Sequence, residues 1–536
     1  MDPGAQTARL RSGLDRCWEG LRVPGAAIAL TNRQGTLGVW TFGVADLATG
    51  RPLGEEDLFQ IASVSKSFTA AALMLERERG TLELDAPATA YLPWFEVRSP
   101  FGPITVHHLL SHTAGIVTGH DFTGEGVAEL LALTEQEPGF APGERFHYSN
   151  AGYKALGLIL ERLAGRSYGE AIRDRILRPL GMSATEPVIT DAVWARCATG
   201  HVSPFEDRPW HSSYGLVAQN RFESGTGDGT VCTSPGDLAT YLRMYLNDGA
   251  GVLARESVEL MTRGVARDEE AGVTYGYGLW TDDRGGRRLV GHSGSFGGFT
   301  SMVMMDREAG LGAAVLCNGP AGWEARREVC AYVVSAARSV AEGGEPPDPP
   351  DLPAAHLVPG AAEYQGLYRG PSGTLQVHAD GDRLLVDSGA GPFVAERLGP
   401  DRFVSADPEL ALFPLRFVRA EGVVTEVVHG GDRYAASGRP EPDRLGADPT
   451  RDAFVGHYRL PTPLSSDMRV VARDGALHLY DLAEDAEYEL APLGGGRFRV
   501  GAEPWAPGRI RFDSVIDGRA VRAIWDGAPY YRVFTP

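Results

Sequence analysis

A serine followed three residues later by a lysine can supply a nucleophile and a base, and the chain has this pair at Ser63 and Lys66. The 536 residues include 49 arginines but only two lysines, so position 66 has kept an amine where most basic positions carry a guanidinium. A guanidinium keeps its proton near neutral pH, whereas burial or a second cation can make a lysine amine neutral. The pair therefore indicates proton transfer from a serine nucleophile. The alternative is an N-capping serine with a solvated lysine one turn later.

The pair lies at the start of a predicted helix. Apolar residues recur at helical spacing between Phe68 and Leu75, and Gly80 is a typical stop signal. If the helix begins at Ser63, the Lys66 amine is one turn away and can reach the serine hydroxyl. The helix N-terminus would also stabilise negative charge that develops near Ser63.

Two polar segments further along the chain could complete a site around this pair. A Tyr-Ser-Asn triplet at 148–150 lies on a predicted loop that leads into an apolar helix. A His-Ser-Gly triplet at 292–294 ends a predicted strand, and a glycine-rich turn follows it. Glycines in such a turn let backbone N–H groups approach a substrate closely.

Taken in order, the three motifs resemble the signature of the penicillin-binding-protein-like and β-lactamase-related serine hydrolases, which is Ser-x-x-Lys, Ser-Asp-Asn and Lys-Thr-Gly. Tyr-Ser-Asn is similar to the class C and D-peptidase-like branches, and His-Ser-Gly to the esterase and D-aminopeptidase branches. Phrases between the motifs match as well, for example Leu-Ser-His-Thr-Ala-Gly at 110–115. The resemblance covers roughly residues 15–340 and implies an α/β catalytic domain of the β-lactamase/transpeptidase type. In such a domain an antiparallel sheet packs against a helical region.

The resemblance also assigns catalytic roles. Ser63 would be the nucleophile that forms an acyl-enzyme. Lys66 and Tyr148 are the two candidates for the general base, and each needs a pKa well below its free value. Because the two groups are coupled, the sequence does not say which of them holds the proton. No cofactor is implied.

Four further residues are implied in substrate binding. Asn150 would orient the lysine and contact the substrate amide. The backbone N–H groups of Ser63 and Ser295 would form an oxyanion hole, and Gly294 would permit the close approach that such a site needs. His292 stands where enzymes that hydrolyse β-lactams generally present a lysine or arginine for the carboxylate of the drug.

The histidine at position 292 bears on the substrate. Histidine is mostly neutral at pH 7, so we expect a weak, switchable cation. This argues against efficient β-lactam hydrolysis and favours an ester, amide or peptide whose carboxylate is absent or distant. The alternative is a histidine that acts only as a structural donor on its strand.

Other polar residues receive structural interpretations. Lys154, the second lysine, is predicted to be solvated on the helix that follows the Tyr-Ser-Asn triplet. The Gly-Asp-Gly-Thr segment at 227–230 lacks the lysine and the frame of a phosphate loop, and is expected to form a wall of the cleft. The histidines near residue 110 match a structural phrase of the family, and no cysteine or carboxylate stands at ligand spacing, so no metal is predicted.

Composition narrows the class of protein. The length suggests about three domains, and no apolar run approaches the roughly 20 residues of a membrane helix. A formal net charge of −19 disfavours nucleic acid and anionic membranes as partners. The first residues lack a signal-peptide pattern, and the five cysteines lack pairing or metal spacing. Reduced thiols and a cytoplasmic location are therefore expected.

The last third of the chain changes to short alternating strands. A proline-rich linker closes the predicted catalytic domain, 1–340. Two segments that resemble each other follow, since Tyr-Gln-Gly-Leu-Tyr-Arg at 364–369 recurs as Phe-Val-Gly-His-Tyr-Arg at 454–459. The repeats predict two small antiparallel β-barrels, lipocalin-like in outline, at 360–436 and 452–536.

The motifs and the domain layout together favour a D-stereospecific peptidase or aminopeptidase that acts on peptide or amino-acid amides. An esterase is the second interpretation, and a penicillin-binding-protein-type thioesterase or peptide cyclase is the third. The alternative from a different class is a non-catalytic binding protein. The expected partner is a small-molecule or peptide substrate, with D-residues in the first interpretation. A homo-oligomer stays open.

Overall fold

The computed structural model describes residues 3–120, 126–352, 354–462 and 466–533. The chain divides into two units. The first contains a nine-stranded sheet with the long helices, and the second contains two closed barrels of eight strands each. The first unit comprises Met1–Val202 and Ala218–Leu352, and the second comprises Ser203–Val217 and Pro353–Pro536.

Among the elements described before residue 352, five helices have 12 or more residues. The helices are α1 (Pro3–Leu21), α2 (Ser65–Glu78), α3 (Val106–Leu110), α4 (Val127–Ala132), α5 (Asn150–Ala164), α6 (Tyr168–Ile172), α7 (Arg178–Leu180), α8 (Asp191–Trp194), α9 (Pro235–Leu246), α10 (Arg255–Thr262) and α11 (Trp323–Ala341). The strands are β1 (Gly25–Asn32), β2 (Thr36–Asp46), β3 (Arg51–Pro52), β4 (Phe59–Gln60), β5 (His201–Val202), β6 (Val217–Ala218), β7 (Cys232–Thr233), β8 (Ala266–Asp268), β9 (Val273–Tyr275), β10 (Trp280–Arg284), β11 (Arg287–Phe296), β12 (Phe299–Asp306) and β13 (Leu311–Cys317).

The sheet of the first unit is antiparallel, with the order β3-β2-β1-β13-β12-β11-β10-β9-β8. Strands β1 and β13 are buried along nearly their whole length because helices cover both faces of the sheet. Val315 and Cys317 share a core with α1 and α11. Gly312 points the other way, toward Leu242 of α9. This arrangement confirms the predicted α/β fold with an antiparallel sheet and a helical region.

The second unit contains the two predicted barrels. The first is formed by β14 (Gly366–Gly370), β15 (Gly373–Asp380), β16 (Arg383–Asp387), β17 (Phe393–Gly399), β18 (Arg402–Ser405), β19 (Leu415–Ala420), β20 (Val423–His429) and β21 (Asp432–Ala436). After the short helix α12 (Pro449–Asp452), the second is formed by β22 (Gly456–Leu460), β23 (Ser466–Arg473), β24 (Ala476–Asp481), β25 (Ala486–Gly494), β26 (Arg497–Val500), β27 (Arg509–Ile516), β28 (Arg519–Trp525) and β29 (Ala528–Arg532).

The sequence repeat is also a structural repeat. Tyr368 in the first barrel donates its hydroxyl to the carbonyl of Tyr364 at 2.7 Å, and Tyr458 in the second donates to the carbonyl of Phe454 at 2.8 Å. In each barrel this tyrosine packs against a phenylalanine, which is Phe417 in the first barrel and Phe512 in the second. Aromatic and aliphatic side chains together fill the interior of each barrel.

One segment of the sequence before residue 340 belongs to the barrel unit. The segment Ser203–Val217 belongs to the barrel unit, although the chain before and after it belongs to the sheet unit. Within the barrel unit, Ser212 donates its backbone N–H to Glu396 Oε2 at 2.9 Å. Arg469 Nη2 donates to the carbonyl of Asp207 at 3.0 Å. The predicted catalytic domain at 1–340 is contiguous, whereas the structure assigns Ser203–Val217 to the barrel unit.

Candidate active site

The candidate nucleophile lies in a strained turn. Ser63 belongs to a 3₁₀ turn, Ala62–Val64, so α2 begins two residues later than predicted. Ala62 has a φ of +47° although it is not a glycine. The left-handed region costs a residue with a Cβ roughly 1–2 kcal/mol. Such a conformation persists where the surrounding structure enforces it, and it is frequent at functional sites.

Lys66 is buried beside the serine. Its Nζ lies 3.0 Å from Ser63 Oγ and 2.9 Å from the carbonyl oxygen of Asp228. The side chain has 0% exposure, and Nζ lies 4.9 Å from the centroid of the Tyr148 ring. A neutral amine that donates to the Asp228 carbonyl would keep its lone pair for the serine proton. The geometry therefore fits the predicted pairing of the nucleophile with a base.

A buried histidine supports the tyrosine from behind. The ring centroids of His112 and Tyr148 are 4.3 Å apart, and His112 Nδ1 accepts the backbone N–H of Ser149 at 3.0 Å. Burial, and then the charge of Lys66, hold the pKa of His112 well below its usual range. The imidazole is therefore a neutral acceptor. This is the buttressing role that the family phrase around His112 implied.

Asn150 begins α5, and Ser149 caps it by accepting the N–H of Gly152 at 3.0 Å. Within the described ranges, Asn150 Oδ1 is buried and accepts no hydrogen bond. The expected contact that would orient Lys66 through this oxygen is therefore not seen. Contact with a substrate amide stays a prediction.

The strand that carries Ser295 packs directly against the turn of the nucleophile. A Cβ added to Gly294 would lie 2.2 Å from the carbonyl oxygen of Ile61 and 2.5 Å from Ser301 Oγ. Ser301 Oγ also donates to that carbonyl at 2.9 Å. Only glycine allows the strand to approach the turn this closely, and the role of Gly294 beside an oxyanion hole stays a prediction. Ser295 follows at the exposed end of β11, and its role in an oxyanion hole stays a prediction.

The sequence gives no hint of a buried arginine behind this strand. Arg326 of α11 donates through Nη1 to the carbonyls of Gly294 at 2.7 Å and Ser301 at 2.5 Å, and through Nε to that of Ala321 at 3.0 Å. Burial lowers its pKa to about 10, so it stays charged at neutral pH. Arg326 therefore ties β11, β12 and α11 together beside Ser295.

His292 differs from the expected switchable cation. The side chain is buried, and burial together with the charge of Lys66 lowers its pKa to about 3. Both ring nitrogens are engaged, Nε2 with the Tyr275 hydroxyl at 2.8 Å and Nδ1 with the Ser293 carbonyl at 2.6 Å. A neutral ring accounts for both contacts if Nδ1 donates and Nε2 accepts. This favours the structural alternative and leaves no cation at His292 for a substrate carboxylate.

Lys154 is buried rather than solvated, contrary to the prediction. Its Nζ lies 2.6 Å from Glu129 Oε2 and 4.0 Å from Asp228 Oδ2. The segment at 227–230 was expected to form a wall of the cleft, and the structure gives it a contact that the sequence did not indicate, since the carbonyl oxygen of Asp228 accepts a hydrogen bond from Lys66. A backbone acceptor has no side-chain signature in a sequence. The buried partner of Lys154, Glu129, lies on the short helix α4.

Two further properties concern the described part of the chain. It contains no group of three or more histidine, cysteine, aspartate and glutamate side chains that could hold a metal ion. It also contains no helix with the length and apolar character needed to cross a membrane. The five cysteines are buried free thiols.

The fold is of the β-lactamase/transpeptidase type. The family model of the beta-lactamases matches residues 10–338, more than half of the chain. The chain belongs to the beta-lactamase family.

Similar proteins carry several names. Penicillin-binding protein 4* of Bacillus subtilis is 27% identical over 434 residues, which cover 73% of this chain and 87% of that protein. D-aminopeptidase of Brucella anthropi is 30% identical over 297 residues, 52% of each chain. Among solved structures, the octameric penicillin-binding protein homologue from Pyrococcus abyssi has 26% identity and a TM-score of 0.58. That match covers 88% of this chain and 98% of the homologue, so the likeness extends beyond the sheet unit.

Proposed function

We propose that the protein is a serine hydrolase that forms an acyl-enzyme on Ser63 and cleaves amides of peptides or amino acids. The observation that carries the proposal is the 3.0 Å distance between Ser63 Oγ and the Nζ of a fully buried Lys66. A structural N-cap would not require a buried amine. Burying an amine costs free energy, so a buried lysine within reach of a serine hydroxyl indicates a functional site.

The chemistry takes two steps. Ser63 Oγ attacks the amide carbonyl carbon while its proton passes to the base, Lys66 Nζ or Tyr148 Oη. The C–N bond then breaks, and the amine leaves with that proton. Water attacks the resulting ester, gives one proton to the base and its hydroxyl to the acyl group, and the proton returns to Ser63 Oγ.

Within this class we propose a D-stereospecific peptidase or aminopeptidase. The similarity to a D-aminopeptidase supports this choice. The neutral state of His292 also supports this choice. Without a positive charge at this position, the site does not select substrates that carry a carboxylate there. An esterase or a thioesterase that cyclises peptides would use the same acyl-enzyme, and they differ in the leaving group and in the acceptor.

Two measurements test the proposal. A fluorophosphonate probe should label the wild-type protein and should not label Ser63→Ala. L- and D-aminoacyl amides, assayed beside p-nitrophenyl esters, should show faster release from the D-amides than from the L-amides. Labelling with turnover of esters alone would indicate the esterase. A protein that is folded but unlabelled would indicate the binding protein.

We also propose that the protein forms a homo-oligomer, because the Pyrococcus abyssi homologue is octameric. Light scattering coupled to size exclusion should give a mass that is a multiple of 57.5 kDa. A mass of one chain across micromolar concentrations would contradict this. The cytoplasmic location stays a prediction, and the buried free thiols agree with it.

A further inference from the structure

Both lysines of the chain converge on one residue. Lys66 Nζ donates to the carbonyl oxygen of Asp228 at 2.9 Å. Lys154 Nζ lies 4.0 Å from the carboxylate of the same aspartate and 2.6 Å from Glu129 Oε2. Lys154, Glu129 and Asp228 are all buried, at 3%, 3% and 5% exposure. The group thus holds one cation and two carboxylates next to the candidate base.

The loop that carries Asp228 is held rigidly between two helices. A Cβ added to Gly227 would lie 2.5 Å from the carbonyl oxygen of Tyr153 and 2.8 Å from Gly157 Cα, both on α5. From α2, Thr69 Oγ1 donates to the carbonyl of Gly227 at 2.6 Å. Lys154 follows Tyr153 on α5, so its ion pairs are anchored to the same rigid frame.

The geometry points to Lys154, with Glu129 and Asp228, as a positioning and charge-balancing group for proton transfer at Lys66; this inference rests on the proposed function. Lys154 holds Asp228 so that its carbonyl fixes Nζ of Lys66. It also offsets the two buried carboxylates, which would otherwise favour the protonated amine. The retention of lysine at this second position, in a chain of 49 arginines, fits a compact ammonium in a closed site.

The surroundings of Lys66 give the sign of the effect. Besides Ser63 and Asp228, Lys66 faces the rings of Tyr148 at 4.9 Å and Tyr153 at 5.7 Å. His112 and His292 also face it, but both are neutral because burial lowers their pKa values. Loss of the Lys154 charge would therefore leave uncompensated negative charge. That charge disfavours both a neutral lysine and an ionised Tyr148, so the acid limb of activity moves to higher pH for either base.

The test measures the rate of fluorophosphonate labelling of Ser63, and kcat/KM for a D-aminoacyl amide, against pH in the full chain. In Lys154→Met the acid limb should move up by about one pH unit, which slows both reactions about tenfold at pH values on that limb. Glu129→Gln alone should move the limb to lower pH. The double variant, which removes one charge of each sign, should return the limb close to its wild-type position.

A matched control breaks another buried ion pair of the same unit. Asp282 Oδ2 lies 2.6 Å from Arg327 Nη2 and is 4% exposed. Asp282→Asn should lower the melting temperature without moving the acid limb. If Lys154→Met does not fold, the limb of Glu129→Gln decides the matter.

Three outcomes would overturn the inference. A loss of rate that is equal at all pH values would indicate a purely structural role, as would a double variant that behaves like Lys154→Met. An unshifted limb in Glu129→Gln would do the same. Absence of labelling in the wild-type protein would instead refute the proposed function, so the two failures are distinguishable.

Discussion

Gly294→Ala tests whether the contact between β11 and the nucleophile turn controls catalysis. The added Cβ would lie 2.2 Å from the carbonyl oxygen of Ile61, and that separation must grow by roughly 0.8 Å to reach the 3.0 Å that real Cβ atoms tolerate. The obstacle is backbone, with Arg326 holding the other side of Gly294, so the strand itself must move. A misplacement of about 1 Å can cost roughly 100-fold in rate.

The expected result is therefore a loss of about 100-fold in kcat/KM for amides and esters alike, together with slower fluorophosphonate labelling. Overpacking should also destabilise the protein by about 1–3 kcal/mol, measured by denaturant unfolding. Gly236→Ala is the control, because its Cβ would meet nothing within 4 Å and it lies in α9. It should leave activity unchanged. If Gly294→Ala folds and keeps kcat/KM within threefold of wild type, Ser295 does not act through this contact.

Three further predictions concern charged or titrating groups. Lys66→Arg should lower kcat by several powers of ten, because a guanidinium cannot accept the serine proton; activity above a tenth of wild type would exclude Lys66 as the base. Nitrocefin should be hydrolysed slowly, because the neutral ring of His292 offers no cation to its carboxylate; rapid hydrolysis by the wild type would contradict the role given to the neutral ring. The pKa of His292 lies at about 3 in the folded state against 6.5 in an exposed chain, so the unfolded state binds the extra proton between these values. Its contribution to stability is therefore complete above pH 6.5 and falls by about 2 kcal/mol at pH 5, and urea unfolding of His292→Gln should depend less steeply on pH.

The positions of the motif residues could be predicted because their chemistry resides in side chains. The sequence therefore indicated Ser63 and Lys66, and the structure brings the two side chains together. The two barrels were also predictable, since Tyr368 and Tyr458 occupy the same place in a visible repeat.

The rest depends on tertiary packing. The carbonyl of Asp228 has no side-chain signature, and the left-handed Ala62 looks like any alanine in the sequence. Lys154 was expected to be solvated because its helix alone shows no partner. In the structure its partner is Glu129, which stands 25 residues earlier in the sequence and forms a buried ion pair with it. Arg326 is one of 49 arginines, and only the fold distinguishes it.

The burial of both lysines has a consequence for chemical modification. Lys66 is 0% exposed and Lys154 is 3% exposed, so the folded surface presents no lysine side chain. Succinimidyl esters and glutaraldehyde react with solvent-exposed neutral amines, so they will not modify a lysine side chain until the sheet unit unfolds locally. Cross-linking through amines would therefore miss an oligomer of this protein, whereas carboxylate-directed reagents would not. The same property makes acylation of a lysine a direct reporter of local unfolding around the active site.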